Sequence, residues 1–205
     1  MKGTIMESIV QAKRVLEIFK EMSQIPRESG NEKGISDYIV NFAKNLGLEV
    51  HQDDQYNVVI KKPASPGYEN RPSIILQGHI DMVCVRDHDS NHDFSKDPIA
   101  NIIEGEWMHA DHTTLGADNG MGGAMMLAIL EDDSQQHGPM QLLFTTNEET
   151  GMDGAFAIKE GQVSGDYLLN LDTEIEHDFT VSCAGGCHVH VNIPLLRENN
   201  QPGYD

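Results

Sequence analysis

The sequence predicts an α/β fold, a mixed sheet flanked by helices. Short apolar runs at Ile74–Leu76, Leu142–Phe144 and Tyr167–Leu171 have the length and content of buried strands. They alternate with longer segments whose apolar residues return every three or four positions, the period of an amphipathic helix. Each strand-like run also stops at residues that can carry chemistry: His79 and Asp81, Glu148 and Glu149, and Asp172.

The elements follow in order. Ile5, Ile9, Ala12, Leu16, Phe19 and Met22 recur at helical spacing, and Pro26 ends that helix. Asn31 is a suitable N-cap for a second helix with Ile35, Tyr38, Ile39, Phe42, Ala43 and Leu46 on its apolar face. Gly47 is its natural stop. Leu48–His51 and Tyr56–Lys61 read as strands, and Lys62–Gly67 as a loop by composition. Ser73–Gly78 is the next buried strand, and a long polar segment, Arg86–Pro98, follows. Ile102–Ala110 reads as a hairpin turning at Glu104-Gly105-Glu106. The glycine-rich stretch Thr114–Gly120 leads into a helix with Met121, Ala124, Met125, Ala128 and Ile129 on one face. Gln141–Thr146 is a strand, Ala155–Glu160 a short helix and Tyr167–Leu171 a further buried strand. From Ala184 the pattern changes, and His188–Pro194 alternates like an exposed antiparallel strand.

Charge narrows the functional classes. Fourteen basic against 33 acidic residues leave a formal net charge of −19. That balance disfavours nucleic acid, whose phosphates would be repelled, and suits cationic ligands or metal ions. No apolar run approaches the ~20 residues of a membrane span, and the first residues lack the apolar core of a secretory signal. Three cysteines, Cys84, Cys183 and Cys187, read as reduced thiols in a cytoplasmic protein.

The strand ends converge on one side of the sheet, because ligands in open α/β sheets bind beyond the carboxyl ends of strands. Asp118, at a helix start, is a fourth acid there. A histidine with several carboxylates suits Zn²⁺ and its neighbours. Asp81 lies two residues beyond His79 on the same face of an extended chain, placed to fix the imidazole tautomer. Glu148 and Glu149 point opposite ways if extended, so one could hold a metal while the other faces substrate. Taken singly, each has a plainer reading. Asp118 could be an N-cap, Asp172 a strand-ending turn, and the glutamate pair a solvated loop.

Four segments carry a resemblance: QGHIDMV, TTLGADNGMGGA, TNEETGMDGA and LLNLDTE. They are similar to the metal-site segments of the M20 family of dinuclear zinc peptidases. NRPSIILQGHIDMV, HDFSKDPI, IIEGEWMHADHTTLGADNG and CAGG resemble one branch more closely, which cleaves dipeptides ending in histidine. The similarity covers residues 7–195. It implies a zinc-peptidase-like catalytic domain with the start of an inserted α+β lid. It implies roles as well: Asp118 bridging two metals, His79 and Asp172 completing one, and Glu149 serving the other. Glu148 would be the general base, and Asp81 would orient His79.

The chain departs from the family in lacking the later histidine that completes the second metal. Residues 1–184 are thus expected to form the N-terminal part of the catalytic domain, and 185–205 the beginning of the lid. The resemblance implies two zinc ions in the full-length parent, with cobalt or manganese as substitutes, and one or none in this piece. It implies a small peptide substrate, no nucleic acid or membrane partner, and room for a homodimer in the parent. Other activities in view are deacylation of N-acyl amino acids, tripeptide cleavage, and metal binding without catalysis. His188 and His190 fall in the segment matching the lid's first strand and take no metal role. Cys183 and Cys187 with those histidines lack a complete four-ligand zinc site. Asp87-His88-Asp89 with His92-Asp93 reads as a polar loop, and His109 and His112 flank Asp111 on a hairpin end. Gly116, Gly120 and Gly122 are not followed by the Lys-Ser/Thr of a phosphate loop.

Overall fold

The computed structural model describes residues 2–173, 175, 178–187 and 189–195, and no side chain before residue 12. The side chains of Ile5 and Ile9, together with His188 and the polar tail from Arg197, therefore lie outside what is described. The chain divides into two units, Met1–Thr173 and Glu174–Asp205. The first holds every helix and strand among the described residues: α1 (Lys2–Ser23), α2 (Lys33–Asn45), β1 (Glu49–Gln52), β2 (Val58–Lys62), β3 (Ile74–His79), β4 (Asn101–Glu104), β5 (Trp107–Ala110), α3 (Ala117–Glu131), β6 (Met140–Thr145), α4 (Asp153–Ala157) and β7 (Tyr167–Asn170). No helix is long and apolar enough to cross a membrane among the described residues.

Five strands form one sheet in the order β1-β2-β6-β3-β7. β1, β2 and β6 pair antiparallel, while β3 lies parallel to both β6 and β7. The α/β reading and the mixed sheet are therefore as expected. Helices α1, α2 and α3 build the core over one face, with Phe19, Met22, Ile39, Leu127, Leu142 and Phe144 buried together. On the other face Val59, Ile75 and Leu143 are buried under the chain around Ile158 and Val163.

α2 stops as the sequence suggests. Gly47 adopts φ +72°, its N–H donates to the Lys44 carbonyl at 3.0 Å, and the Leu48 N–H donates to the Ala43 carbonyl at 3.1 Å. That is a Schellman motif, which needs a left-handed residue and so favours glycine. The start differs. The N-cap is Glu32, not Asn31, and its carboxylate makes no cap bond to α2. The Asn31 N–H is instead spent on the Glu28 carbonyl at 2.7 Å.

Three further expectations change. The buried residues of α3 include Gly120, Gly123, Ala124, Met126, Leu127 and Leu130, whereas Met125 and Ile129 are 41% and 38% exposed. The helix lies between α1 and the sheet, so its glycines mark the closest contact and a search for apolar period misses them. A Cβ on Gly120 would come within 2.9 Å of the Phe19 ring, and one on Gly123 within 3.1 Å of the Met22 methyl. β7 is exposed along its whole length rather than buried, because it is the edge strand of this sheet. In the second unit the described residues form no strand at 189–195, where alternation suggests one. A strand needs a ladder partner, and none of the described residues pairs there.

Lys62 also belongs to a strand, not to the loop that follows. Its side chain is 6% exposed, and Nζ donates to the carbonyls of Ile129, Leu130 and Asp132 at 2.9, 3.0 and 2.9 Å. A cation thus closes the C-terminal end of α3, where carbonyls lack helical partners and the helix dipole is negative. Lys62→Met should remove those three charge-assisted bonds and cost about 1–3 kcal/mol of unfolding free energy. Urea denaturation with an unchanged m-value is the measurement, and a native midpoint would show the contact to be idle.

Candidate metal centre

β3, β6 and β7 are mutually parallel neighbours, so their carboxyl ends open on one edge of the sheet. β3 ends at His79, which is 1% exposed. The chain leaving β6 turns through Asn147 to Glu149, and β7 runs on to Asp172. Asp118 comes from the first turn of α3, where residues 118 and 119 have non-helical dihedrals and their peptide bond is cis. These features bring together side chains up to about a hundred residues apart in sequence.

His79 is the centre of the cluster. Its Nδ1 lies 3.2 Å from Asp81 Oδ1, and its Nε2 lies 3.0 Å from Asp118 Oδ1 and 3.8 Å from Asp172 Oδ2. Two sets of ligand atoms each lie within 4.8 Å of one another: His79, Asp118 and Asp172, and His79, Glu148 and Glu149. All six residues singled out from the sequence thus meet at one place. Glu149 groups with His79 and Glu148, while Asp118 groups with His79 and Asp172.

Burial and charge set the protonation of the group. Burial works against a charged imidazole, but Asp81, Asp172 and Asp118 outweigh it and push the His79 pKa up to about 9. Burial also acts to raise Asp81. The bonds from His79, Ser29 and the Glu148 N–H overcome it and hold that carboxyl below the ordinary carboxylate range. Asp172 is pushed up to about 6 by burial and by Asp118 and Glu148, against the pull of His79. Glu149 is raised by burial, and by Asp118, Glu148 and Asp81. Crowded carboxylates that resist ionising beside a single imidazole are a donor set suited to a divalent cation, which would relieve their repulsion. The residues present fit a metal site on that ground. Burial raises the Cys84 thiol to about 11, which leaves it un-ionised and unsuited to act as a nucleophile.

Three supporting residues had no signal in the sequence. Ser29 Oγ donates to Asp81 Oδ2 at 2.7 Å. Arg27, 2% exposed, donates from Nη1 to the carbonyls of Ile80 and Asp81 at 3.2 and 3.1 Å, and from Nη2 to that of Gly116. Glu32, 4% exposed, receives backbone N–H groups from Gly30 and Asn147. All three sit in the turn between α1 and α2, and a charged, polar turn by itself reads as surface. His109 lies in β5, and His112 in the chain just beyond it. His112 pairs with Asp87 at 2.8 Å, both side chains 69% exposed, in the wall of an open hollow of about 480 Å³.

Comparison with known proteins follows the same lines. Residues 75–195 match the profile of Peptidase family M20/M25/M40. Over 189 residues the chain is 44% identical to the cytosol non-specific dipeptidase of Escherichia coli (strain K12), covering 92% of this chain and 39% of that protein. The crystal structure of aminoacylhistidine dipeptidase from Vibrio alginolyticus superposes with a TM-score of 0.77 at 47% identity, covering 80% of this chain and 33% of that one. A tripeptidase from Staphylococcus aureus gives a TM-score of 0.67 at 26% identity, covering 80% and 44%. The chain therefore spans less than half the length of these relatives.

The His79 environment has a direct test. In metal-free protein its ring should titrate near pH 9 by NMR, and Asp81→Asn should move it down. Because the folded value is raised from 6.5, the stabilisation it reports is fully present below about pH 6.5 and lost as pH rises through about 9. A ring titrating at its ordinary value would show that the carboxylates do not act on it.

Proposed function

The chain belongs to peptidase family M20/M25/M40, and we propose that it carries the metal-binding strands of a dipeptidase whose substrates include Xaa-His dipeptides. The observation that supports this best is the pair of overlapping ligand sets on His79, with Asp81 behind the ring. The names of the two most similar relatives reported above support a dipeptide substrate, one of them non-specific and the other aminoacylhistidine-directed. The cytosolic name of the Escherichia coli relative supports a cytoplasmic setting. In this reading 1–184 is the N-terminal part of the catalytic domain and 185–205 begins a lid.

His79, Asp118 and Asp172 would hold one metal, and Glu149 the other, with Asp118 shared between them. Zinc fits this mixture of imidazole and carboxylate, and cobalt or manganese would be accepted. When bound, the pair supplies a water of lowered pKa and a polarised scissile carbonyl. Asp81 accepts the Nδ1 proton of His79, which leaves Nε2 free as a ligand atom. Glu148 takes the proton from the attacking water and delivers it to the leaving amine nitrogen. Its backbone is held by Asp81, so base and ligand shell share one support.

Two substitutions separate the roles. In the complete protein Glu148→Gln should keep its metal and lose about 10²–10⁴-fold in kcat, because a proton acceptor is removed and no ligand is. Glu149→Gln should instead weaken metal binding, read by calorimetry. The opposite pattern would swap the assignments. Turnover of histidine dipeptides should exceed that of tripeptides and N-acetyl amino acids, and a preference for either of the latter would move the protein to another activity of the family. The 205 residues alone should bind one ion tightly and a second weakly, since this reading assigns the second ion only Asp118 and Glu149. Two equally tight sites in that titration would show another ligand within these residues.

A further inference from the structure

Four successive backbone N–H groups, from Thr146 to Glu149, all end on side-chain oxygens drawn from elsewhere in the chain. Thr146 donates to Asn57 Oδ1 at 3.1 Å, and Asn147 to Glu32 Oε1 at 3.0 Å. Glu148 and Glu149 donate to the two oxygens of Asp81 at 3.1 and 3.2 Å. The turn that carries the glutamate pair is therefore not held by its own ladder. It is held by three buried side chains.

Glu32 stands apart from the other two. Asn57 is neutral, and Asp81 also serves His79. Glu32 is a carboxylate, 4% exposed, that accepts from Gly30 N at 2.9 Å and Asn147 N at 3.0 Å. No lysine or arginine pairs with it among the described residues. A buried carboxylate without a cation is costly unless N–H donors and a favourable dipole support it. Glu32 has both, because it occupies the N-cap of α2, at the positive end of the helix dipole. It bridges that helix end to a peptide 115 positions away in sequence.

The peptide it holds is the one next to the glutamate pair. Asn147 adopts φ +55°, a left-handed conformation that a residue with a side chain enters at some cost. Its carbonyl then receives the Met152 N–H at 2.7 Å and so closes the turn. The direction of the Glu148 side chain follows from the dihedrals of this peptide and the next.

We propose that Glu32 is a positioning residue for the glutamate pair: by holding the Asn147 amide against the N-terminus of α2, it sets the turn that aims Glu148 at the substrate water. The proposal rests on the reading of Glu148 as the general base. A base displaced by about 1 Å loses on the order of 10²-fold in rate while binding is hardly touched. The Glu32 carboxylate accepts from the Gly30 and Asn147 amides and from no side chain of the His79 cluster, so in this proposal its effect on the rate passes through the turn to Glu148.

The test uses the complete, metal-loaded protein and a histidine dipeptide. Glu32→Ala should lower kcat by about 10–100-fold, with KM within about threefold and metal content unchanged. Glu32→Gln, whose amide oxygen still accepts, should recover most of that loss, and amide exchange at Asn147 should quicken in the alanine variant only. Added to Glu148→Gln, Glu32→Ala should change the residual rate by less than about twofold, because both act through one group. Native kcat in Glu32→Ala, or the same large loss in the Glu148→Gln background, would overturn the proposal. If the alanine variant fails to fold, Glu32→Asp keeps the charge but shortens the reach, and it should show the same loss of kcat at native KM. Failure of the base assignment is read separately, as native kcat in Glu148→Gln alone.

Discussion

The site depends on one buried carboxylate. Asp81 is fully buried and lies beside His79 Nδ1 while accepting from Ser29 Oγ, the Glu148 N–H and the Glu149 N–H. Removing such a group from water costs several kcal/mol, and only donors on most of its lone pairs offset that. Its satisfaction therefore fixes the relative positions of three separate pieces of chain: the end of β3, the turn after β6 and the turn between α1 and α2. The imidazole and the glutamate pair cannot shift independently, because each shift would strand a lone pair of the same carboxylate.

Arg27 holds the same assembly from the main-chain side. Its guanidinium reaches the carbonyls of Ile80 and Asp81 at the end of β3, and that of Gly116 ahead of Asp118. Burial brings its pKa down to about 10, which leaves it cationic at neutral pH. Gly120 lies so close that a Cβ there would come within 2.6 Å of Arg27 Nη2. The glycine spacing in α3 is thus part of the site's construction. It lets the helix approach both Phe19 and Arg27, and so sets how far Asp118 stands from His79.

Much of this was legible in the sequence, for identifiable reasons. Period and length find α1, α2, β3 and β6, and the residues that end the strands find His79, Asp81, Glu148, Glu149 and Asp172. Local pattern stops there. Ser29, Arg27 and Glu32 act across 52 to 115 positions, and nothing in the turn Arg27–Glu32 announces that its polar groups face inward. Apolar counting misreads α3, because its closest face is made of glycine. It misreads β7 as buried, because edge position belongs to the sheet and not to the strand. Lys62 looks like the start of a loop until the carbonyls at the end of α3 are seen around it.

The same constraints explain how two adjacent glutamates could take different work. Their N–H groups bind the two oxygens of one carboxylate, so the backbone treats them almost alike. Any difference has to come from what surrounds each side chain. Glu149 is disfavoured as an anion by burial first and then by Asp118, Glu148 and Asp81. A divalent cation would relieve that repulsion, which suits the Glu149 carboxylate to a metal. A base needs the opposite condition. It must give its proton up again to the amine, and a carboxylate engaged by a metal would take that proton poorly in the first place. Splitting the two tasks between neighbours on one fixed turn meets both conditions with a single support.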